Sequence, residues 1–206
     1  MRLYAEHIFP RLMDWIMAGE EFRRLRGALL AEARGRVLEL GVGTGLNLPH
    51  YPSAVQSLAA VDPAVLLPKR LAVRKATLTF PLRLERRTAE SLPYDARVFD
   101  YVVSTWTLCT IPDPAAALRE VHRVLKPTGW FLFLEHGRSD DPRIAAWQDR
   151  LNPIQRIIGC GCNLNRPIDR LITQAGLRLD RLDRFRMERV PRIGGEMYRG
   201  AAVPSA

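Results

Sequence analysis

Short apolar runs and helical patterns alternate along most of this chain. Over residues 3–33, apolar side chains recur at three- and four-residue steps, which predicts amphipathic helices broken near Pro10 and Gly19. Beyond Gly35, runs rich in Val, Leu, Phe and Ala are separated by turns and by further helical patterns. We predict strands over residues 36–41, 57–62, 82–88, 99–108, 130–137, 177–187 and 197–203, and helices over residues 63–75, 114–125, 142–158 and 167–175.

This alternation predicts an α/β domain with a mostly parallel sheet and helices on both faces. The connection between the last two predicted strands is too short for a right-handed crossover helix, so one of them must run antiparallel. We therefore expect a doubly wound, Rossmann-like sheet of seven strands, with one antiparallel strand near the C-terminus. The whole chain, residues 1–206, is expected to form a single domain.

Composition and charge narrow the classes of function. The 206 residues are 47% hydrophobic and 26% charged, as in ordinary globular domains. A net charge of +9 is compatible with binding to nucleic acid or an anionic membrane. Arginines alternate with acids over residues 177–192, however, which favours ion pairs on solvated strands over nucleic-acid binding.

Location can also be predicted from the sequence. Three cysteines form no secretory disulfide framework, and no apolar run approaches the roughly 18 residues of a membrane span. The first residues lack the pattern of a signal peptide. We expect a cytoplasmic protein.

A glycine-rich turn follows the first predicted strand, in the segment VLELGVGTGLNL (residues 37–48). Gly41, Gly43 and Gly45 allow positive φ angles and close approach of a ligand to the backbone. A dinucleotide fingerprint would place its third glycine at position 46, which is Leu46, and the Gly-Lys-Ser/Thr of a P-loop is missing. In a doubly wound sheet this turn lies at the ligand-binding edge.

Two acids specify the ligand further. Glu39, inside the strand end, would repel a pyrophosphate but suits an ammonium group. Asp62 ends the second predicted strand, nineteen residues after Gly43, where an acid can accept both ribose hydroxyls. A ligand with an ammonium group, a ribose and no phosphate is S-adenosylmethionine.

Four blocks in this order resemble the class I S-adenosylmethionine-dependent methyltransferases. They are VLELGVGTG, VDP, AESLPYDARVFDYVVSTWTL and LREVHRVLKPTGWFLFLEHG, between residues 37 and 137. The resemblance implies that the three glycines line the methionine part and that Glu39 reaches the amino group. Its remaining cofactor-binding candidates are Asn47 beside the methyl donor, Asp62 and Pro63 at the ribose, Ala89 and Glu90 at the adenine, Thr105 closing over the cofactor, and Tyr4 in a helical lid. The family often has Asp where this chain has Thr88, which weakens the expected adenine contact.

By this resemblance the domain has four parts. Residues 1–34 form a helical lid, residues 36–137 the cofactor-binding core, residues 138–176 a helical insertion on the substrate side, and residues 177–206 a strand pair. Tyr4 and His7 belong to the lid, or simply pack against the sheet.

A narrower resemblance concerns the methyl acceptor. The segments GVGTGLNLPHYP, LCTIPDP, LEHG and GCGCNLNR look like thiol S-methyltransferases and their bacterial relatives. This implies S-methylation of a small apolar thiol. The long hydrophobic N-terminal anchor of the membrane-bound relatives is missing here, so we do not expect membrane insertion.

Other functions remain open at this point. One is N-methylation of a phospholipid head group or C-methylation of a quinone-like ring, because an Arg-rich surface and amphipathic N-terminal helices suit peripheral contact with an anionic membrane. Another is an S-adenosylmethionine-binding or RNA-associated regulator without catalysis.

Candidate acceptor-side residues follow the fourth and fifth predicted strands. His136 is the candidate general base, or else a histidine that only bonds to a neighbouring loop. Trp106 either walls the substrate pocket or belongs to the core, and Cys109, Asn163 and Arg166 are candidate substrate-binding residues. A thiol acceptor is partly ionised already and needs little base catalysis.

The C-x-C pair Cys160 and Cys162 could bind a metal together with His136. The pair supplies only two ligands, and methyl transfer needs no metal. We therefore predict no metal site here, and instead a tight turn in which Asn165 caps the next helix, with Pro167 in its first turn.

Overall fold

The structure is a computed structural model that describes residues 3–64 and 67–205. The strands are β1 (Gly35–Leu40), β2 (Val55–Val61), β3 (Leu82–Glu85), β4 (Phe99–Thr105), β5 (Leu125–His136), β6 (Leu177–Arg186) and β7 (Glu196–Pro204). The helices are a π-helical turn (Tyr4–Ile8), α1 (Phe9–Met17), α2 (Glu20–Leu30), a 3₁₀ turn (Leu48–His50), α3 (Pro68–Lys75), α4 (Pro114–Val124), α5 (Pro142–Ile158), α6 (Ile168–Gln174) and α7 (Arg192–Gly195).

The seven strands form one sheet in the order β3-β2-β1-β4-β5-β7-β6. The pairings among β1 to β5 are parallel, and β7 runs antiparallel to both β5 and β6. The predicted doubly wound sheet with one antiparallel strand is therefore confirmed. Strand order reverses at β1, so the carboxyl ends of β1 and β4 form the edge where such sheets bind ligands.

Each face of the sheet buries its own apolar cluster. On one face, Leu38 and Leu40 of β1 pack with residues of α4 and α6. On the other face, Val37 packs with Leu25 and Leu29 of α2. Because side chains alternate along a strand, Glu39 lies on the same face as Val37, beneath the N-terminal helices.

Several element boundaries differ from the sequence-based prediction. Helix α3 begins at Pro68, and Leu67 before it has a left-handed φ of 45°; residues 65 and 66 of the predicted helix lie outside the described residues. Strand β4 ends at Thr105 because Trp106 has a φ of 49°. Strand β5 begins at Leu125, five residues before the predicted start at Trp130, and so includes residues 126–129.

The predicted cap of α6 is wrong. Asn165 donates its side-chain amide to Asp149 at 2.8 Å, and Pro167 precedes the helix without a side-chain cap. Residues 177–192 do form ion pairs, but with partners outside that segment, as where Asp183 pairs with Arg199 and Arg184 with Asp140. No helix within the described ranges has the length and apolar character needed to cross a bilayer.

Candidate active site

The glycine turn leaves β1 with all three of its glycines at positive φ. Gly41, Gly43 and Gly45 have φ angles of 71°, 53° and 83°. A Cβ at Gly41 would lie 2.5 Å from the side chain of Thr107, and one at Gly45 would lie 2.8 Å from Leu71. A Cβ at Gly43 would meet no atom of the described residues within 4 Å. Two of the glycines are therefore required by packing, and Gly43 faces open space that a ligand can enter.

The carboxylate of Glu39 lies directly behind this turn and is 1% exposed. Asn47 donates to one oxygen and the Tyr51 hydroxyl to the other, both at 2.9 Å. Burial raises the pKa of Glu39 to about 7, because desolvation outweighs these hydrogen bonds. The Asn47 amide also donates to Thr105 Oγ1 at 2.9 Å. Three predicted cofactor residues from three segments thus meet at one point, and Tyr51 is a member that the sequence did not indicate.

Asp62 holds the glycine turn from the end of β2. Gly43 N–H donates to one carboxylate oxygen at 2.8 Å, and Ala64 N–H donates to the other at 2.9 Å. Burial raises the pKa of Asp62, and these two hydrogen bonds oppose the rise. A carboxylate has about four acceptor positions, so two remain for ribose hydroxyls. Pro63, the next residue, is exposed.

Other predicted cofactor residues have contacts elsewhere. Ala89 is buried in the cluster below α4, and Glu90 accepts from the backbone N–H of Asp113 at 3.3 Å. The Tyr4 hydroxyl donates to the carbonyl of Ile158 at 2.8 Å, which ties the N-terminal turn to the end of α5. The roles of these three residues in cofactor binding remain predictions.

A buried acid in α1 attaches the N-terminal helices to the glycine turn. Asp14 accepts from Thr44 Oγ1 at 2.5 Å and from Arg74 at 2.6 Å, and it also pairs with Arg70. Burial alone would raise the pKa of Asp14, but the hydrogen bonds from these three residues hold it at about 2. Nothing in the local sequence pattern distinguishes Asp14 from an exposed helical acid, so this contact could not be predicted.

Arg26 of α2 is a second missed residue. It is 2% exposed, and its guanidinium carbon lies 4.8 Å from the centroid of the Trp106 ring, which also packs against Phe22. One Arg26 nitrogen donates to the Met17 carbonyl, whereas buried Nε has no partner among residues 3–64 and 67–205. Burial lowers the pKa of Arg26 to about 10, against the attraction of nearby Glu39. An unpaired buried donor of this kind suits an anionic group.

The loop after β4 is fixed by Glu135, the penultimate residue of β5. This fully buried carboxylate accepts from Ser104 Oγ at 2.6 Å and from the backbone N–H groups of Thr107 and Leu108 at 2.9 and 3.2 Å. Burial raises the pKa of Glu135, and these donors oppose the rise. The carboxylate therefore serves to hold the loop.

His136, the candidate base, ends β5. Its Nε2 lies 3.1 Å from Cys162 Sγ, and its buried Nδ1 has no partner within the described part of the chain. The Sγ atom of Cys109, after β4, lies within 4.8 Å of Cys162 Sγ and of a ring nitrogen of His136. Cys160 is half-buried.

Asn163 and Arg166 connect the loop after α5 to the loop after β4. The backbone N–H and side-chain amide of Asn163 both donate to the Cys109 carbonyl at 2.9 Å. Arg166 donates to the carbonyls of Leu108 and Ile111, the latter at 2.7 Å. Both residues thus shape the acceptor side, and direct contact with substrate remains a prediction.

A surface cavity of about 570 Å³ lies elsewhere, and Arg34, Asp100 and Lys126 are among its lining residues. These residues lie near the amino ends of β1, β4 and β5. That edge is opposite the glycine turn, so the cavity is separate from the candidate active site.

Comparisons with known proteins identify the family of this chain. Residues 38–133 match the family model described as a methyltransferase domain. Over 177 residues the chain is 33% identical to human thiol S-methyltransferase TMT1B, covering 84% of this chain and 70% of that protein. It is 37% identical over 135 residues to the rat TMT1B protein, covering 63% of this chain and only 54% of that relative's length. Phosphatidylethanolamine N-methyltransferase of Cereibacter sphaeroides is 32% identical over 142 residues, covering 68% of this chain and 70% of that protein.

The fold has solved counterparts. The crystal structure of the Bacillus subtilis YcgJ protein superimposes with a TM-score of 0.65 at 19% identity, covering 87% of this chain and 95% of that one. The site offers open space at Gly43, carboxylates at Glu39 and Asp62, and an unpaired donor on Arg26. These groups suit a ligand with ammonium, ribose and carboxylate groups. The chain therefore belongs to the S-adenosylmethionine-dependent methyltransferases and is an enzyme of the class I, Rossmann-like fold that uses S-adenosylmethionine as its methyl donor.

Proposed function

We propose that this enzyme transfers the methyl group to the sulfur of a small, apolar thiol. The observation that carries the proposal is the similarity to thiol S-methyltransferases, which covers 84% of this chain and so extends beyond the cofactor-binding core. The acceptor side supports it. The carboxylate there, Glu135, already accepts from three donors, whereas Trp106 and a cluster of thiol and imidazole groups line the same edge. This chemistry suits a neutral, sulfur-bearing acceptor better than a cationic amine.

In this proposal the cofactor is held by groups around the glycine turn. Glu39 and Arg26 face the ammonium and carboxylate groups of its methionine part, and Asp62 accepts the ribose hydroxyls. Ala89 and Glu90 lie at the adenine edge. Bound S-adenosylmethionine supplies an electrophilic methyl group on its sulfonium sulfur. Asn47, which is already bonded to Glu39 and Thr105, fixes the floor of the site below that group.

The residues of the chain then contribute positioning and exclusion of water, since methyl transfer is an in-line displacement. The hydrogen bond between Asp14 and Thr44 holds α1 over the glycine turn. Trp106 packs against Phe22 and Arg26 of α2. His136 remains the predicted base. Because its Nε2 contacts Cys162, only Nδ1 is free to accept the proton of a thiol.

Phospholipid N-methylation is the second candidate, favoured by the similarity to the bacterial phosphatidylethanolamine enzyme. Exposed apolar side chains would suit peripheral contact with a membrane. More than half exposed are the side chains of Trp15 in α1 and of Trp147, Ile154, Ile157 and Ile158 in α5.

The cellular compartment is a separate question. Three free cysteines are consistent with a reducing compartment such as the cytoplasm.

The experiment is incubation with S-adenosylmethionine labelled in its methyl group and a panel of acceptors. The panel contains small alkyl and aryl thiols, vesicles of phosphatidylethanolamine with an anionic lipid, a hydroquinone and RNA. We expect label in the thioether products of the thiols. Label confined to lipid, hydroquinone or RNA would overturn the proposal, as would cofactor binding without transfer to any acceptor.

A further inference from the structure

Three side chains that can ligate metal meet on the acceptor side. Cys109 lies in the turn after β4, His136 ends β5, and Cys162 lies in the loop between α5 and α6. Their ligand atoms, two sulfurs and one ring nitrogen, all lie within 4.8 Å of one another. Cys109 and His136 are buried and Cys162 is half-buried. Long-range folding, with no local motif, brings this cluster together.

The geometry is close to that of a tetrahedral zinc site. With ordinary Zn–S and Zn–N bond lengths, two ligand sulfurs are about 3.8 Å apart and a sulfur and nitrogen about 3.6 Å apart. The cluster has its imidazole nitrogen 3.1 Å from Cys162 Sγ and its other separations below 4.8 Å. Shifts of less than about 1 Å would therefore seat the ion. Two thiolates also neutralise a divalent zinc ion, which suits a buried position.

The surrounding hydrogen bonds hold the ligands in place without the ion. Asn163 donates twice to the carbonyl of Cys109, and Arg166 donates to the carbonyls on either side of that turn. Glu135 binds the first residues of the same loop. These contacts fix the backbone of the loop that carries Cys109, one of the three ligands.

Cys160 is the natural comparison within this loop. It stands two residues before Cys162, is half-buried and lies outside the cluster, with a left-handed φ of 50°. The sequence had suggested Cys160 as a partner of Cys162. The structure instead places Cys109 beside Cys162, so Cys109 takes the place of Cys160 as the second sulfur ligand.

We propose that Cys109, His136 and Cys162 bind a zinc ion whose fourth position takes the sulfur of the acceptor thiol. Three protein ligands and one open position are the arrangement of catalytic zinc sites, whereas structural sites have four protein ligands. The cluster lies at the carboxyl ends of β4 and β5, the edge that also carries Thr105 and Asn47. The proposed role of the ion rests on thiol methylation being the function.

The chemistry balances without another reactant. The acceptor thiol binds through sulfur and releases its proton to solvent, so it reaches the methyl group as a thiolate. A sulfur electron pair then forms the new S–CH₃ bond. The bond between that methyl carbon and the sulfonium sulfur breaks, and its electron pair stays on the departing S-adenosylhomocysteine. The thioether product is neutral and a weak ligand, so it leaves. In this arrangement His136 is a metal ligand and no longer the general base.

The test is metal analysis of the purified full chain after equilibration with zinc under reducing conditions, with free metal removed. We expect one zinc per chain in the wild type and in Cys160→Ser, and a loss of at least tenfold in affinity in Cys109→Ser and Cys162→Ser. With cobalt in place of zinc, we expect sulfur-to-metal charge-transfer absorption that changes when a small alkyl thiol is added. Circular dichroism and S-adenosylmethionine titration verify that each variant is folded.

Several results would overturn the proposal. They are a wild type that binds no zinc, a disulfide between Cys109 and Cys162 under these conditions, or equal zinc loss in Cys160→Ser. Thiol methylation that proceeds at full rate after zinc removal would refute the role of the ion while leaving the proposed function intact. Zinc binding without thiol methylation by the zinc-loaded enzyme would refute the proposed function and leave the metal site.

Discussion

Replacing Glu39 with Gln should stabilise the cofactor-free enzyme and lower its affinity for S-adenosylmethionine. The folded protein raises the pKa of Glu39 from 4.5 to about 7. The folded state therefore holds this proton more tightly than the unfolded chain, and ionisation of Glu39 destabilises the fold as pH rises from 4.5 through 7. Above pH 7 the penalty is complete. The shift corresponds to about 3 kcal/mol, since one pKa unit is about 1.4 kcal/mol.

Gln has nearly the same shape and can still accept the bond from Asn47, but it carries no charge to desolvate. At pH 8 the Glu39→Gln variant should unfold at a higher temperature than the wild type, by roughly 6–12 °C for a chain of this size. At pH 5 most wild-type Glu39 is protonated, and the difference should fall to roughly 2–4 °C, corresponding to about 1 kcal/mol. The measurement is thermal unfolding of both proteins at the two pH values without cofactor.

Affinity should change in the opposite direction. The wild type needs ionised Glu39 for the ammonium group, so its S-adenosylmethionine affinity should fall about tenfold per pH unit below pH 7. The variant should bind at least tenfold more weakly at pH 8 and show little of this pH dependence. Isothermal titration calorimetry measures both. A folded variant with unchanged affinity at pH 8, or with no gain in unfolding temperature there, would refute the placement of Glu39.

Further substitutions test the other parts of the site. Gly43→Ala should reduce cofactor affinity more than stability, because its Cβ points into open space. Gly45→Ala should mainly lower the unfolding temperature, because its Cβ meets Leu71. Titration calorimetry and thermal unfolding measure the two effects, and the opposite ranking of the two variants would contradict this reasoning. Asp14→Asn should lower the free energy of unfolding by about 2 kcal/mol at pH 7, because the pKa of Asp14 is depressed in the folded protein. This loss should shrink as pH falls from 3.8 towards 2. Equal urea unfolding curves of the two proteins at pH 7 would count against the contact. Asp62→Ala should lower S-adenosylmethionine affinity at least tenfold, and unchanged titration curves would remove Asp62 from the ribose.

The fold could be predicted from the sequence because strand and helix periodicities were strong over most of the chain. The one antiparallel strand followed from a short connection, and β7 provides it. Errors fell where single residues decide a boundary, as at Leu67 and Trp106, whose positive φ angles no local pattern indicated.

The candidate site was predictable where its residues follow strands directly. Glu39, Asn47 and Thr105 meet because parallel strands bring their carboxyl ends to one edge. The partners from distant segments were missed. Arg26 is recognisable only once α2 is packed on the sheet, and the contact between Cys109 and Cys162 depends on a loop fixed by several long-range hydrogen bonds.

The most direct test of thiol methylation is a single-turnover reaction of the purified enzyme with S-adenosylmethionine bearing a deuterated methyl group and a small alkyl thiol. Mass spectrometry of the products then follows the label. We expect one deuterated thioether and one S-adenosylhomocysteine per active enzyme molecule. Cofactor that stays intact beside the thiol, or deuterium that appears on nitrogen, oxygen or carbon of another acceptor, would contradict the proposed function.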